Sequence, residues 1–240
     1  WKVLSPATAM LMEYWHSVAA AAERAACAAG CDGAISMTGN AAESGLRAEN
    51  AMAPSIGTDA FEARRERLME QFSEGVAAVF VGASEARRNG DVDHEFRQTS
   101  TFHYLTGFDE PDAICLLRPG EAEPYVLFVR PGDSNQELWL GPRAGVDGAI
   151  SEFGADAALP NDDLEEALPE LLAGVTTLYY SLVPSGSLSG LARRVQDSLL
   201  KVITHSRGAA VRGSQGIERV IDPFPIVSEL RLRKEPAELV

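Results

Sequence analysis

The sequence has 240 residues, 45% of them hydrophobic and 23% charged, a composition that supports one domain or two small ones with a core of their own. Its formal net charge is −14 and no Lys/Arg-rich run offsets it, which argues against nucleic acid and anionic membrane surfaces as partners. Three cysteines, Cys27, Cys31 and Cys115, are too few and odd in number for a secreted disulfide framework, so a reducing, cytoplasmic setting is expected.

In chain order, residues 1–58 are rich in Ala, Gly, Ser and Met, show no strand pattern and end in the turn-prone GNAAESGLRAENAMAPSIGT; they are expected to form a poorly ordered extension. Within them the Ala-rich stretch from Met10 to Cys31 closes on Ala-Gly-Cys, but Glu13, His16, Glu23 and Arg24 interrupt it. It is therefore read neither as a targeting signal nor as a membrane span. FEARRERLMEQF (61–72) places Phe61, Arg64/Arg65, Leu68 and Phe72 at helical spacing, and GVAAVFVGA (75–83) reads as a buried strand. AICLLR (113–118) and PYVLFVR (124–130), separated by PGEAE, predict a hairpin, and ELWLG (137–141) a shorter strand.

Helical patterns follow at 143–154 and 162–174, then a strand TTLYYSL (176–182) and a helix at 187–202; VIDPFPIVSELRLRK (220–234) reads as extended, then helical from about Pro225. A hairpin group followed by strands alternating with helices predicts an α/β fold with a mixed β-sheet flanked by helices. The domain is expected over 59–224. Trp1 at the start, and Pro236 and Glu238 suited to the first turn of a helix in KEPAELV, lead us to expect a fragment whose residues 225–240 form a linker helix.

Several candidate sites fail on spacing. Cys27-x-x-x-Cys31 has no second Cys or His pair at zinc-site spacing. In DVDHEFR (91–97), alternate side chains of an extended segment point opposite ways, so Asp91, Asp93, His94 and Glu95 do not converge on one ion, and no metal ligand is assigned. Ser84, Ser100 and Ser185 lack the G-x-S-x-G context of a nucleophile elbow. RQTSTFHYLTGFDEPDA (97–113) is richer. Thr99 or Ser100 can cap a short helix, Gly107 can take the left-handed position at its end, and Pro111 prevents continuation. On that turn Phe102, Leu105 and Thr106 share one face, which offers His103 and Tyr104 outward on the other.

RRERLMEQ (64–71), AAVFVGASEARRNGDV (77–92), FRQTSTFHYLTGFDEPDA (96–113), YVLFVRP (125–131), ELWLGPRAGVDGA (137–149) and IVSELRLRKEPAEL (226–239) occur in this order. Together they resemble the N-terminal domain of the aminopeptidase P family, over about residues 61–240. The resemblance implies a domain of the creatinase and prolidase type, followed in the parent by a pita-bread catalytic domain that is absent from this chain. That domain would hold two manganese ions on two Asp, one His and two Glu beyond Val240, where a metal-bridging hydroxide attacks the carbonyl before a penultimate proline. It further implies proline-containing peptides as partners, a homo-oligomer, and an N-terminal domain that supports assembly and narrows access to the metals. On that basis Arg97, His103 and Tyr104 are the expected rim of substrate access, no catalytic residue lies in this chain, and the fragment alone is expected to be inert. His103 stands where many relatives have Tyr or Trp, which weakens the carry-over of an aromatic wall. A prolidase-type dipeptidase and a non-catalytic peptide-binding or dimerisation module remain alternatives.

Overall fold

The apolar runs of this sequence are continuous where a half-solvated sheet would alternate, and the computed structural model shows why. It describes residues 56–90, 92–132, 143–184, 188, 190–210, 216–235 and 238–239. Strands β1 (Val76–Val81), β4 (Ile114–Leu117) and β5 (Tyr125–Val129) are buried on both faces. Side-chain period 2 sends Ala78 and Phe80 to one core and Ala77 and Val79 to the other.

The principal sheet runs β6-β5-β4-β1-β7-β8, with β6 (Ala157–Pro160), β7 (Thr177–Tyr179) and β8 (Arg219–Ile221). β4 pairs antiparallel with both β1 and β5, whereas β5 with β6, β1 with β7 and β7 with β8 pair in parallel. The expected mixed sheet is therefore present, and the hairpin read around PGEAE is β4–β5. Short strands β2 (Arg87–Asn89) and β3 (Val92–Asp93) form a separate exposed ribbon.

On one face lie helices α1 (Thr58–Met69), α2 (Ser100–Thr106), α3 (Gly145–Ser151) and α6 (Phe224–Leu232), whose Leu68, Phe102, Leu105, Ala149 and Val227 pack into the first core. On the other lie α4 (Leu164–Leu171) and α5 (Gly190–Ala210), which bury Leu164, Leu168, Val195 and Leu199. The expected helices at 61–72, 143–154, 162–174 and 187–202 are all present, the last longer than its apolar pattern. Strand β6 was not expected: Ala157–Pro160 carries no β-branched or aromatic residue, and its parallel register against β5 defines it. Residues 1–55 of the extension, with its two cysteines, and the strand at 137–141 lie outside the described residues, and Thr58 already belongs to α1.

Helix α1 buries two cations in its apolar face, Arg64 at 1% and Arg65 at 4% exposure. Arg65 Nη1 donates to Leu105 O at 3.0 Å, and its guanidinium lies 3.8 Å from the centroid of the Tyr125 ring. Arg64 Nη1 donates to Tyr104 O at 3.3 Å, and its guanidinium covers the Tyr104 ring at 4.4 Å. These two carbonyls belong to the last turn of α2, where the helix presents its negative end and lacks internal donors. The second bond of Arg64 is to Glu235, at 2.9 Å, and Arg67 also pairs with Glu235.

Burial alone would raise the carboxyl of Glu235, but hydrogen bonds from Arg67 and Arg64 outweigh it and hold the group below its ordinary 4.5. A depressed folded value stabilises the fold above the unfolded value and loses that contribution as pH falls through the folded one. We expect Glu235→Gln to melt lower than the native chain at pH 7, with the gap closing below pH 4.5. A gap constant from pH 7 to pH 3 in paired thermal melts would show that the charge of Glu235 contributes nothing.

Candidate functional site

The segment before α2 is fixed by Gln98. Its Oε1 accepts from the amides of Ala83, at 2.6 Å, and Thr99, at 2.9 Å, while its Nε2 donates to Glu110 O at 3.0 Å. One buried side-chain amide thus joins the end of β1 to both flanks of the helix. Gly82 makes room for it, since a Cβ there would lie 2.9 Å from Ala113 O and 3.1 Å from Gln98 Oε1.

Helix α2 then runs seven residues. Thr99 occupies its N-cap position with extended backbone, but neither Thr99 nor Ser100 makes the side-chain cap bond expected of them; the Thr99 amide is instead held by Gln98. Gly107 takes the left-handed conformation as expected, with φ 67°, and its amide donates to His103 O at 2.9 Å. A second constraint holds there: a Cβ at Gly107 would sit 2.5 Å from the Phe61 ring, so α1 presses directly on this turn.

Phe102, Leu105 and Thr106 are buried on one face, as the spacing predicts. Tyr104 is not offered outward, which corrects the expectation: it is 6% exposed, beneath the guanidinium of Arg64, and its hydroxyl donates to Leu230 O of α6 at 3.3 Å. So short a helix has α1 along one flank and α6 along another, and the face that helical geometry leaves free is covered from elsewhere in the chain. Burial raises the Tyr104 phenol, against the pull of Arg64 and Arg67. His103 is half-buried, with its ring edge-on to Phe61 at 5.8 Å. Arg97 is exposed.

These three residues nevertheless meet around one cavity of about 360 Å³. Its wall also includes Arg64 from α1, Arg231 from α6, and Lys234 and Glu238 beyond α6. None of the last four was singled out as a site residue, because their convergence depends on long-range packing. Among the described residues no three His, Cys, Asp or Glu side chains form a group that could hold a metal ion. The described residues therefore do not fit the manganese pair, whose ligands the resemblance puts outside this chain. Cys115 offers no nucleophile, since burial pushes its thiol up to about 12 despite the nearby Arg65. No described helix is long and apolar enough to cross a membrane.

Comparison with known proteins decides the family. Residues 61–179 match the family model described as aminopeptidase P, N-terminal domain. The chain belongs to the aminopeptidase P family through this domain. Over 186 residues it is 34% identical to the Xaa-Pro aminopeptidase of Escherichia coli, an alignment that takes in 77% of this chain and 41% of that protein. The aminopeptidase PepP structure from Pseudomonas aeruginosa superposes with a TM-score of 0.68 at 39% identity, covering 77% of this chain and 40% of that one. A zinc-substituted E. coli aminopeptidase P in complex with product gives a TM-score of 0.66 at 32% identity, over 77% and 41%. The chain thus spans about two-fifths of the length of these aminopeptidase P relatives.

The packing of α2 separates its side chains into two groups. Leu105→Ala, at a fully buried position, is expected to cost about 2–5 kcal/mol, and Tyr104→Ala a similar ~3–5 kcal/mol. Arg65→Ala, which strips a charged donor from Leu105 O and a cation from the Tyr125 ring, should cost about 2–4 kcal/mol. His103→Ala, half-buried and without a hydrogen-bonded ring nitrogen among the described contacts, should stay within about 1 kcal/mol. Urea denaturation of the four variants checks the ordering, and a His103 variant as unstable as Leu105→Ala would refute it.

Proposed function

We propose that the full-length parent of this chain is a metal-dependent Xaa-Pro aminopeptidase, hydrolysing the bond between an N-terminal residue and a penultimate proline. The observation that carries this reading is the extent of the match, 77% of the chain at 34–39% identity, to proteins named for that activity. The domain would support assembly of the parent as a homo-oligomer and form part of the approach for proline-containing peptides, with Arg97 and His103 on that approach and Tyr104 holding the surface in place from beneath. In this reading two manganese ions belong to the part of the parent that this chain does not span. They would polarise the scissile carbonyl and supply the attacking hydroxide there.

The cavity beside α2 supports the access role because it gathers polar groups from three separated elements into one concave surface. Two measurements test the proposal. In the full-length parent loaded with manganese, His103→Ala is expected to lower kcat/KM on Xaa-Pro peptides by about tenfold to a hundredfold, with an unchanged melting temperature. Unchanged kinetics in a normally folded, normally assembled variant would remove His103 from the approach. Calorimetric titration of the 240-residue chain with manganese should be silent; a stoichiometric micromolar site would show that metal binding begins in this domain.

A further inference from the structure

The cavity beside α2 is cationic in a chain of net charge −14. Four cationic side chains, Arg64, Arg97, Arg231 and Lys234, line it against two carboxylates, Asp109 and Glu238. Lys234 and Arg64 approach Glu238 at 3.9 and 3.6 Å, and Arg64 is further neutralised by Glu235. Arg97 and Arg231 have no hydrogen bond or ion pair among the described residues. A third donor is idle as well: Arg64 Nε is buried and unbonded, although Arg64 as a whole is 1% exposed. Buried polar atoms are seldom left unsatisfied, and the rare exceptions point to a missing partner.

A larger crevice lies at the carboxyl ends of β1, β5 and β6, with about 540 Å³, and shows the contrast. It too contains arginines, but each is engaged: Arg130 with Asp112 and Glu85, Arg87 with Asp93, and Arg194 with Asp162 and Glu165. That crevice is internally neutralised. The cavity beside α2 is not.

We propose that the cavity beside α2 binds the C-terminal carboxylate of a short peptide, held by the guanidinium groups of Arg97 and Arg231. Planar guanidinium forks suit carboxylate and phosphate alike. Asp109 and Glu238 in the same wall tip the balance, because they penalise a dianion more heavily than a monoanion and can accept the amide donors of a peptide backbone. A volume of about 360 Å³ admits one or two terminal residues and no folded partner. His103, edge-on to Phe61, supplies a flat flank for the terminal side chain. This inference rests on the reading of the surface as an approach for peptides and adds to it the end of the peptide that is recognised.

The test is a titration of the isotope-labelled 240-residue chain, followed by amide NMR, with Ala-Pro-Ala-Ala as the free acid, the same peptide as its C-terminal amide, and inorganic phosphate. The acid is expected to shift Arg97, His103 and Arg231 saturably and to bind about tenfold more tightly than the amide. Arg97→Gln with Arg231→Gln should bring the acid to the affinity of the amide at an unchanged melting temperature; if the pair melts lower, Arg97→Gln alone, at an exposed site, should remove most of the difference. Equal binding of acid and amide, discrimination that survives the variants, or phosphate binding as tightly as the acid would each overturn the proposal. None of these results touches the aminopeptidase reading, which rests on the match to its relatives, and the role of this surface as an approach is tested separately by the His103 kinetics of the parent.

Discussion

Two buried guanidinium groups hold the functional face of this domain together. Desolvating a cation costs several kcal/mol unless its hydrogen bonds and its charge are both answered. Arg64 meets most of that requirement with a carboxylate, a carbonyl and an aromatic face, and leaves only its Nε unbonded. Arg65 meets it with a carbonyl and an aromatic face alone. The carbonyls are those a seven-residue helix cannot satisfy by itself, so cation and helix end stabilise each other. The position of α2 therefore depends on α1, and with it the placement of Gly107 against Phe61 and of His103 at the cavity wall.

The same pair explains why the cavity is electrically distinct from the rest of the surface. Arg64 is drawn inward by Tyr104, which leaves Nε without a partner, while Glu235 and Glu238 pair with Arg64, Arg67 and Lys234. Local charge here follows from which pairs the packing permits, and an acidic net charge does not prevent a cationic recess.

Much of the architecture was legible because it rests on local rules. The β4–β5 hairpin follows from two apolar runs around PGEAE, the left-handed Gly107 from its place after a short helix, and the burial of Phe102 and Leu105 from helical spacing. What escaped was set by partners distant in sequence. Tyr104 lies on the face that local geometry leaves free, and Arg64, 40 residues earlier, and Leu230, 126 residues later, cover it. Gln98 looks like any polar residue before a helix, yet it answers an amide beyond the end of β1 and a carbonyl on the far side of α2. β6 has the composition of a loop and becomes a strand because β5 offers it a parallel edge.

Arg97, His103 and Tyr104 were legible as a group but not in their roles, and the division among them follows from depth. Tyr104 is a spacer: its ring carries a cation and its hydroxyl reaches α6, so it fixes the distance between α2 and α6 without facing solvent. Arg97 and His103 sit on the solvent side of that spacer, and Arg231 faces them from α6, one residue beyond the Leu230 carbonyl that Tyr104 grips. A shift of α6 that broke the Tyr104 bond would thus separate Arg97 from Arg231 directly. The geometry that a ligand would read is set by a largely buried ring in the cavity wall, and a helix displaced at its far end would be felt in the cavity through that one phenol.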